Sequence, residues 1–219
     1  MAPPNDPSDL PDLLAVLTDS LRLLASRGGQ KSYRKGQHLI QEGEYGDTLF
    51  IILAGRVRVY GSGDRDREIT YGTYGAGEYL GEISLDGGPR SASVVAIEPC
   101  KCAVVTRQTL LNHIAEHPEF ALELLAKVIR RARAATLNAK QLALNDVYGR
   151  MVLLLNELGA PQPDGTRVIS ERLTHQEMAN RLGCSRVMVS RLTKDLEIGG
   201  YLAPNHGTFT LLRALPSRW

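Results

Sequence analysis

Glycine punctuation is what most limits how this chain folds. From Ser32 to about Arg107, short apolar or alternating runs occur at His38–Ile40, Leu49–Leu53, Val57–Tyr60, Ile69–Tyr71, Ser93–Ile97 and Cys102–Val105. They are separated by Gly36, Gly43, Gly46, Gly55, Gly61, Gly75 and Gly77. Brief strands joined by glycine turns at this spacing predict an antiparallel barrel, roll or sandwich. Thr109 to Leu144 then contains no glycine and becomes helical after Pro118. Leu125, Val128, Ala132, Ala135, Ala139 and Leu142 step by three and four, forming an apolar seam. Its alanines let a partner helix approach closely, and Lys127, Arg130, Arg131 and Arg133 lie off it. We read the seam as a junction between two subunits; the alternative is a helix packed on its own barrel.

The flanking segments have their own texture. Met1–Pro11 carries four prolines and predicts a loose arm. Asp12 to about Ala25 predicts a short helix, from the spacing of Leu13, Leu14, Val16, Leu17, Leu21, Leu23 and Leu24. Asn145-Asp146 interrupts the seam as a hinge and caps a helix over Val147–Leu158. After the loop Gly159–Gly165 come a short strand near Val168-Ile169 and two helices. A hairpin closes the chain, Tyr201–Ala203 with Phe209–Leu212, turned around Asn205-His206-Gly207.

The second half of that tail has the grammar of a helix-turn-helix. Thr174 with Glu177 three places on is a capping box, Gly183 ends the first helix and Ser185 caps the next. At about 100° per residue, Val189, Leu192 and Leu196 share one face and point inward. Val187, Ser190, Arg191 and Lys194 share the other, with Arg186 beside them. Arginines on the first turns of an outward helix suit the B-DNA major groove, where they bond guanine O6 and N7. Thr174, His175, Gln176 and Ser185 sit at helix starts, placed to hold phosphates. The competing reading is a helical hairpin with a solvated charged face. Charge favours DNA: from Arg150 onward nine Lys/Arg face six Asp/Glu, in a chain of net charge +2.

Upstream, the informative stretch runs from Gly77 to Ser93. A helical turn opening at Gly81-Glu82 aims backbone N–H groups at an anion, and Arg90 adds a charged fork. Ser91 supplies a hydroxyl, and Glu82 accepts from a sugar hydroxyl. By spacing alone, a plain glycine-rich turn with an arginine explains it equally well.

Together these motifs resemble a known family. The order G-E-x-x-x, short loop, P-R-S-A is similar to the phosphate-binding cassette of cyclic-nucleotide-binding domains. Gly43–Val59 is similar to the strands preceding it. G-C-S-R-V-M-V-S-R-L-T-K-D-L-E resembles the helix-turn-helix of the Crp/Fnr superfamily of bacterial transcription regulators. From about Leu13 the order matches throughout: roll, long helix, hinge, winged helix-turn-helix. The resemblance implies an α+β fold. Residues 1–11 would be a disordered arm and 12–117 an antiparallel β-roll of cyclic-nucleotide-binding type. Residues 118–145 would be the dimerisation helix and hinge, and 146–219 a winged helix-turn-helix DNA-binding domain. It implies that Gly81, Glu82, Arg90 and Ser91 hold a ribose and cyclic phosphate and that Thr136 meets the base. Arg186 and Arg191 would read bases, and Thr174, Gln176 and Ser185 would touch phosphates.

Three departures from the family pattern stand out. The Asp86-Gly87-Gly88 loop is short. Ala135 stands where cyclic-AMP-responsive members carry a second hydroxyl. Val187 replaces an acidic base reader and cannot accept from cytosine N4. The expected function is that of a cytoplasmic homodimeric regulator that binds double-stranded DNA, works with RNA polymerase and responds to a cyclic nucleotide, cyclic AMP first. The resemblance leaves cyclic GMP, cyclic di-GMP, haem or gas, or no effector as alternatives.

Other chemistry has little support in the sequence. Cys100, Cys102 and Cys184 form no C-x-x-C pair and provide no amino-terminal cluster for an iron–sulfur centre. Cys100 and Cys102, two apart, are packing positions on one strand face, and Cys184 fills the helix turn. His38 is the only histidine in the strand region, so no cupin-type metal triad forms there, and His113, His117, His175 and His206 read as surface or capping residues. There is no G-x-S-x-G and no Walker A loop, and no apolar run reaches membrane-spanning length. No enzyme, metal or membrane role is expected.

Overall fold

The computed structural model describes residues 10–15, 17–63, 67–205 and 207–216. The expected arm lies outside them up to Asp9, as does His206 in the closing turn. In place of one amino-terminal helix there are two, α1 (Leu10–Ala15) and α2 (Asp19–Ser26). The break is at Thr18, an extended N-cap whose hydroxyl accepts from the Leu21 amide.

Eight strands follow: β1 (Gly29–Tyr33), β2 (His38–Ile40), β3 (Leu49–Ala54), β4 (Val57–Gly63), β5 (Arg67–Tyr74), β6 (Tyr79–Leu80), β7 (Ser93–Ala96) and β8 (Cys100–Val105). They form two four-stranded sheets, ordered β1-β8-β3-β6 and β2-β7-β4-β5. Antiparallel register sets Leu49 opposite Val105 and Ile51 opposite Ala103. In β3 every residue from Leu49 to Leu53 is buried. Leu49, Ile51 and Leu53 enter a core shared with Leu21, Leu24, Leu110 and Phe120. Phe50 and Ile52 enter a second core with Val94, Ala96, Cys100 and Cys102. A continuous apolar run is what a strand covered on both faces requires.

Helix α3 (Arg107–Glu116), absent from the sequence reading, starts at an N-cap Thr106 that accepts from the Thr109 amide. Its His113 is 0% exposed, contrary to the surface role expected of the histidines, and neither ring nitrogen has a partner among the described residues. The ring packs edge-on against Phe120 at 5.0 Å between centroids, and His117 lies 4.9 Å away. Helix α4 (Glu119–Leu144) seats Phe120 and Leu124 in the core, whereas Leu125, Val128 and Leu142 on the seam are exposed.

The chain divides into two compact units, Met1–Ser62 with Thr70–Arg131, and Gly63–Ile69 with Ala132–Trp219. In the second, Asp146 caps α5 (Val147–Leu158), accepting from the Gly149 amide at 2.7 Å. Helices α6 (His175–Leu182) and α7 (Arg186–Ile198) pack on a sheet ordered β11-β12-β10-β9. Its strands are β9 (Ala160–Pro161), β10 (Arg167–Ile169), β11 (Leu202–Asn205) and β12 (Thr208–Leu211). Met151, Leu155, Ile169, Met178, Leu196 and Phe209 fill the core. Among the described residues no helix is long and apolar enough to cross a membrane.

Burial, with His117 and Arg27 nearby, holds the His113 imidazole below its ordinary 6.5, against the opposing pull of Glu116 and Glu119. The unfolded chain therefore takes up this proton first. The stability tied to a neutral ring is present above about pH 6.5 and is lost as pH falls below it. His113→Leu should flatten the decline of Tm between about pH 7 and pH 5 relative to the parent; thermal melts across that range, showing equal slopes for both proteins, would contradict this.

Candidate functional site

The cassette is organised by Arg90. This guanidinium is 7% exposed, and burial lowers its pKa against the pull of Asp47 and Glu82. One Nη donates to the Gly81 carbonyl at 3.1 Å and the Ser84 hydroxyl at 2.7 Å. The other donates to the carbonyl and hydroxyl of Thr48, both at 3.0 Å. Four of the fork's five N–H directions are thus aimed at neutral oxygens. Gly81 caps a 3-10 turn, Glu82–Asp86, in the left-handed region at φ 95°. A Cβ there would lie 2.6 Å from the Thr48 carbonyl oxygen and 2.7 Å from the Arg90 guanidinium, so only glycine fits.

Glu82 is 7% exposed. One carboxylate oxygen pairs with Arg131 of α4, and the other is buried with no hydrogen-bond partner among the described residues. Arg131 also donates to the Tyr79 carbonyl at 2.7 Å and lies 4.9 Å from the Tyr74 ring centroid. Lys127, one turn earlier, pairs with Glu78 and sits 4.0 Å above the Tyr79 ring; burial lowers its pKa. The Tyr79 phenol is pushed up to about 12 by burial and then by Glu82. A small cleft of about 50 Å³ is lined by Leu80, Gly81, Glu82, Arg90, Ser91 and Arg131, among others. It combines an anchored cation with a carboxylate oxygen that still lacks a donor. That donor set matches an anion carrying hydroxyl groups.

Gly81, Glu82, Arg90 and Ser91 thus line one cleft, with Ser91 exposed. Thr136 belongs to the other unit, where its hydroxyl donates to the Ala132 carbonyl at 3.0 Å. Thr48, Ser84 and Arg131 escaped the sequence reading. The only trace of Arg131 was its position off the apolar seam.

In the helix-turn-helix, the Thr174 hydroxyl accepts from the Glu177 amide, while the Thr174 amide donates to the Glu177 carboxylate at 2.7 Å, completing the capping box. Gly183 turns the chain at φ 64°, in the left-handed region, and the Ser185 hydroxyl caps α7 by accepting from the Met188 amide. Val189, Leu192 and Leu196 are buried, as their spacing predicts. Arg186, Val187, Arg191 and Lys194 are exposed on the opposite side. Ser190 departs from the outward position expected of it: it is half-buried, its hydroxyl 2.9 Å from His175 Nδ1. Thr174, His175, Gln176 and Arg186 together line an open cleft.

Comparisons with known proteins agree with this layout. The cyclic nucleotide-binding domain family matches residues 30–117, and the crp family of bacterial regulatory proteins matches residues 172–202. The CRP-like cAMP-activated global transcriptional regulator of Mycobacterium tuberculosis is 30% identical over 88% of this chain and 84% of its own. The cAMP-activated global transcriptional regulator CRP of Haemophilus influenzae is 33% identical over 73% of each. A solved structure of the c-di-GMP responsive global regulator CLP of Xanthomonas campestris superposes with a TM-score of 0.77. It does so at 24% identity, over 88% of this chain and 97% of that one.

Removing one partner of a buried ion pair strands the other. Arg131→Gln should therefore cost roughly 2–3 kcal/mol, somewhat less than a fully buried pair because Arg131 keeps some exposure. Urea denaturation should show the loss, and adding Glu82→Gln should recover part of it. An unchanged urea midpoint in Arg131→Gln would contradict the geometry.

Proposed function

The chain belongs to the Crp family of bacterial transcription regulators, DNA-binding proteins rather than enzymes, and on that premise we propose that a cyclic nucleotide in the cassette controls its grip on DNA. The observation that carries this reading is the joining, in one cleft, of the Arg90 fork, the glycine-capped turn and the unpaired oxygen of Glu82. A cyclic phosphate replaces neutral acceptors of Arg90 with a charged one, and such bonds are roughly twice as strong. A ribose hydroxyl supplies the donor that Glu82 lacks. Cyclic AMP is the first candidate, because the curated relatives are named as cAMP-activated. Cyclic di-GMP is the second, from the name of the structural neighbour. The 50 Å³ cleft holds no more than a few waters, so ligand entry requires its walls, Arg131 among them, to give way.

Further parts of the reading rest on α4 and α7. The seam residues Leu125, Val128 and Leu142 are 53%, 38% and 43% exposed, an apolar stripe that a second copy would cover. A homodimer of this kind reads two half-sites about one helical turn apart. Residues 12–117 serve as sensor, 118–145 as dimerisation helix and hinge, and 146–219 as reading head. Thr136 meets the base; Arg186 and Arg191 read DNA bases, Val187 and Lys194 lie with them on the outward face of α7, and Thr174, His175, Gln176 and Ser185 hold phosphates. The regulator works in the cytoplasm, with RNA polymerase as its partner at the promoter.

Calorimetric titration of the full chain with cyclic AMP, cyclic GMP and cyclic di-GMP tests the sensor. Saturation with the cognate ligand should change DNA affinity roughly 5–150-fold, the usual range of allosteric coupling. Arg90→Ala and the milder Arg90→Lys should both abolish or greatly weaken ligand binding. Equal DNA affinity with and without all three nucleotides would overturn the switch.

A further inference from the structure

Val187 is the second residue of α7 and 78% exposed. The packing of α7 is fixed from the opposite side by Val189, Leu192, Thr193 and Leu196, all buried. Val187 contributes nothing to that core. Nor does it help the helix, since β-branched residues lose side-chain freedom there and polar ones serve better on a solvated face. Its surroundings are cationic: Arg186 precedes it and Arg191 follows one turn on, both exposed. The one hydroxyl a turn away, on Ser190, is already engaged by His175. The amino-terminal end of α7 therefore presents the Val187 isopropyl group between guanidinium forks, with Met188 beside it less exposed at 41%.

In the major groove only thymine offers an apolar feature, its C5-methyl group, and apolar side chains recognise it by contact. We infer that each DNA half-site of this regulator contains a thymine whose methyl group packs on Val187, beside the guanines that the neighbouring arginines select. The inference rests on the reading of α7 as the groove helix. Valine suits such a contact because its single preferred helical rotamer fixes the methyls in advance, so little is ordered on binding. A carboxylate at this place would instead accept from cytosine N4. The identity of one base pair is thus set by a residue with no hydrogen-bonding side-chain atom.

The test uses the full chain and a pool of randomised duplexes, alone and with cyclic AMP, cyclic GMP or cyclic di-GMP, to enrich its preferred site. Each thymine of the enriched half-site is then replaced singly by deoxyuridine, which lacks only the methyl. Burial of one methyl is worth about 0.8 kcal/mol, so one position should lose about fourfold in affinity while the others stay level. Val187→Ala should erase that difference at the same position and Arg191→Ala should not; Val187→Glu should move the preference there to a C·G pair. Indifference to deoxyuridine at every thymine, or an undiminished penalty in Val187→Ala, would sink the proposal while leaving DNA binding intact. Failure to enrich any site would remove the groove reading itself, and this inference with it.

Discussion

A buried guanidinium sets the terms for the amino-terminal unit. Arg90 has been drawn largely out of water, which is costly for a permanent cation unless its N–H groups find acceptors. Thr48, at the entrance to β3, supplies two, and the cassette supplies the rest through Gly81 and Ser84. The Arg90 main chain is held as well, its amide donating to the Glu44 carbonyl and its carbonyl accepting from the Gly43 amide. One side chain therefore pins a strand, a glycine turn and a 3-10 turn to a common point. Gly81 is forced by this arrangement, because any Cβ would displace the atoms that satisfy the charge.

The charge on Arg90 is complemented by a second layer from α4. Lys127 and Arg131 are one turn apart on the side facing the cassette, while Leu125, Val128 and Ala132 lie on other sides of the same helix. A single helix thus offers cations to Glu78 and Glu82 and keeps an apolar stripe exposed. The pairing leaves one oxygen of Glu82 buried and without a partner among the described residues. Buried polar groups normally find partners, and an exception beside an anchored arginine is where a ligand gains most from binding.

Much of this layout is legible in the sequence, and for identifiable reasons. The helix-turn-helix carries its signals in consecutive residues, so Thr174, Glu177, Gly183 and Ser185 announce both helices and the turn. Leu49–Leu53 announces a buried strand by uninterrupted apolarity. Strand β1 is not legible because Gly29-Gln30-Lys31-Ser32-Tyr33 is polar, pairs among the described residues only with β8, and buries only Tyr33. Helix α3 is hidden because its apolar residues, Leu110, Leu111 and Ile114, are few and its Thr106 cap resembles the end of a strand. The pairing of Arg131 with Glu82 spans 49 positions, and no local pattern encodes a contact between a helix and a turn that tertiary packing brings together. The burial of His113 belongs to the same class, since Phe120, His117 and the neighbouring core close over it.

Strand β3 leaves one last implication, for how the sequence can drift. With Leu49, Ile51 and Leu53 in one core and Phe50 and Ile52 in the other, this strand has no face turned to solvent. Neutral substitutions accumulate most easily where a side chain borders water. These five consecutive codons should therefore be among the slowest to diverge, with change at one requiring a compensating change in the layer it touches.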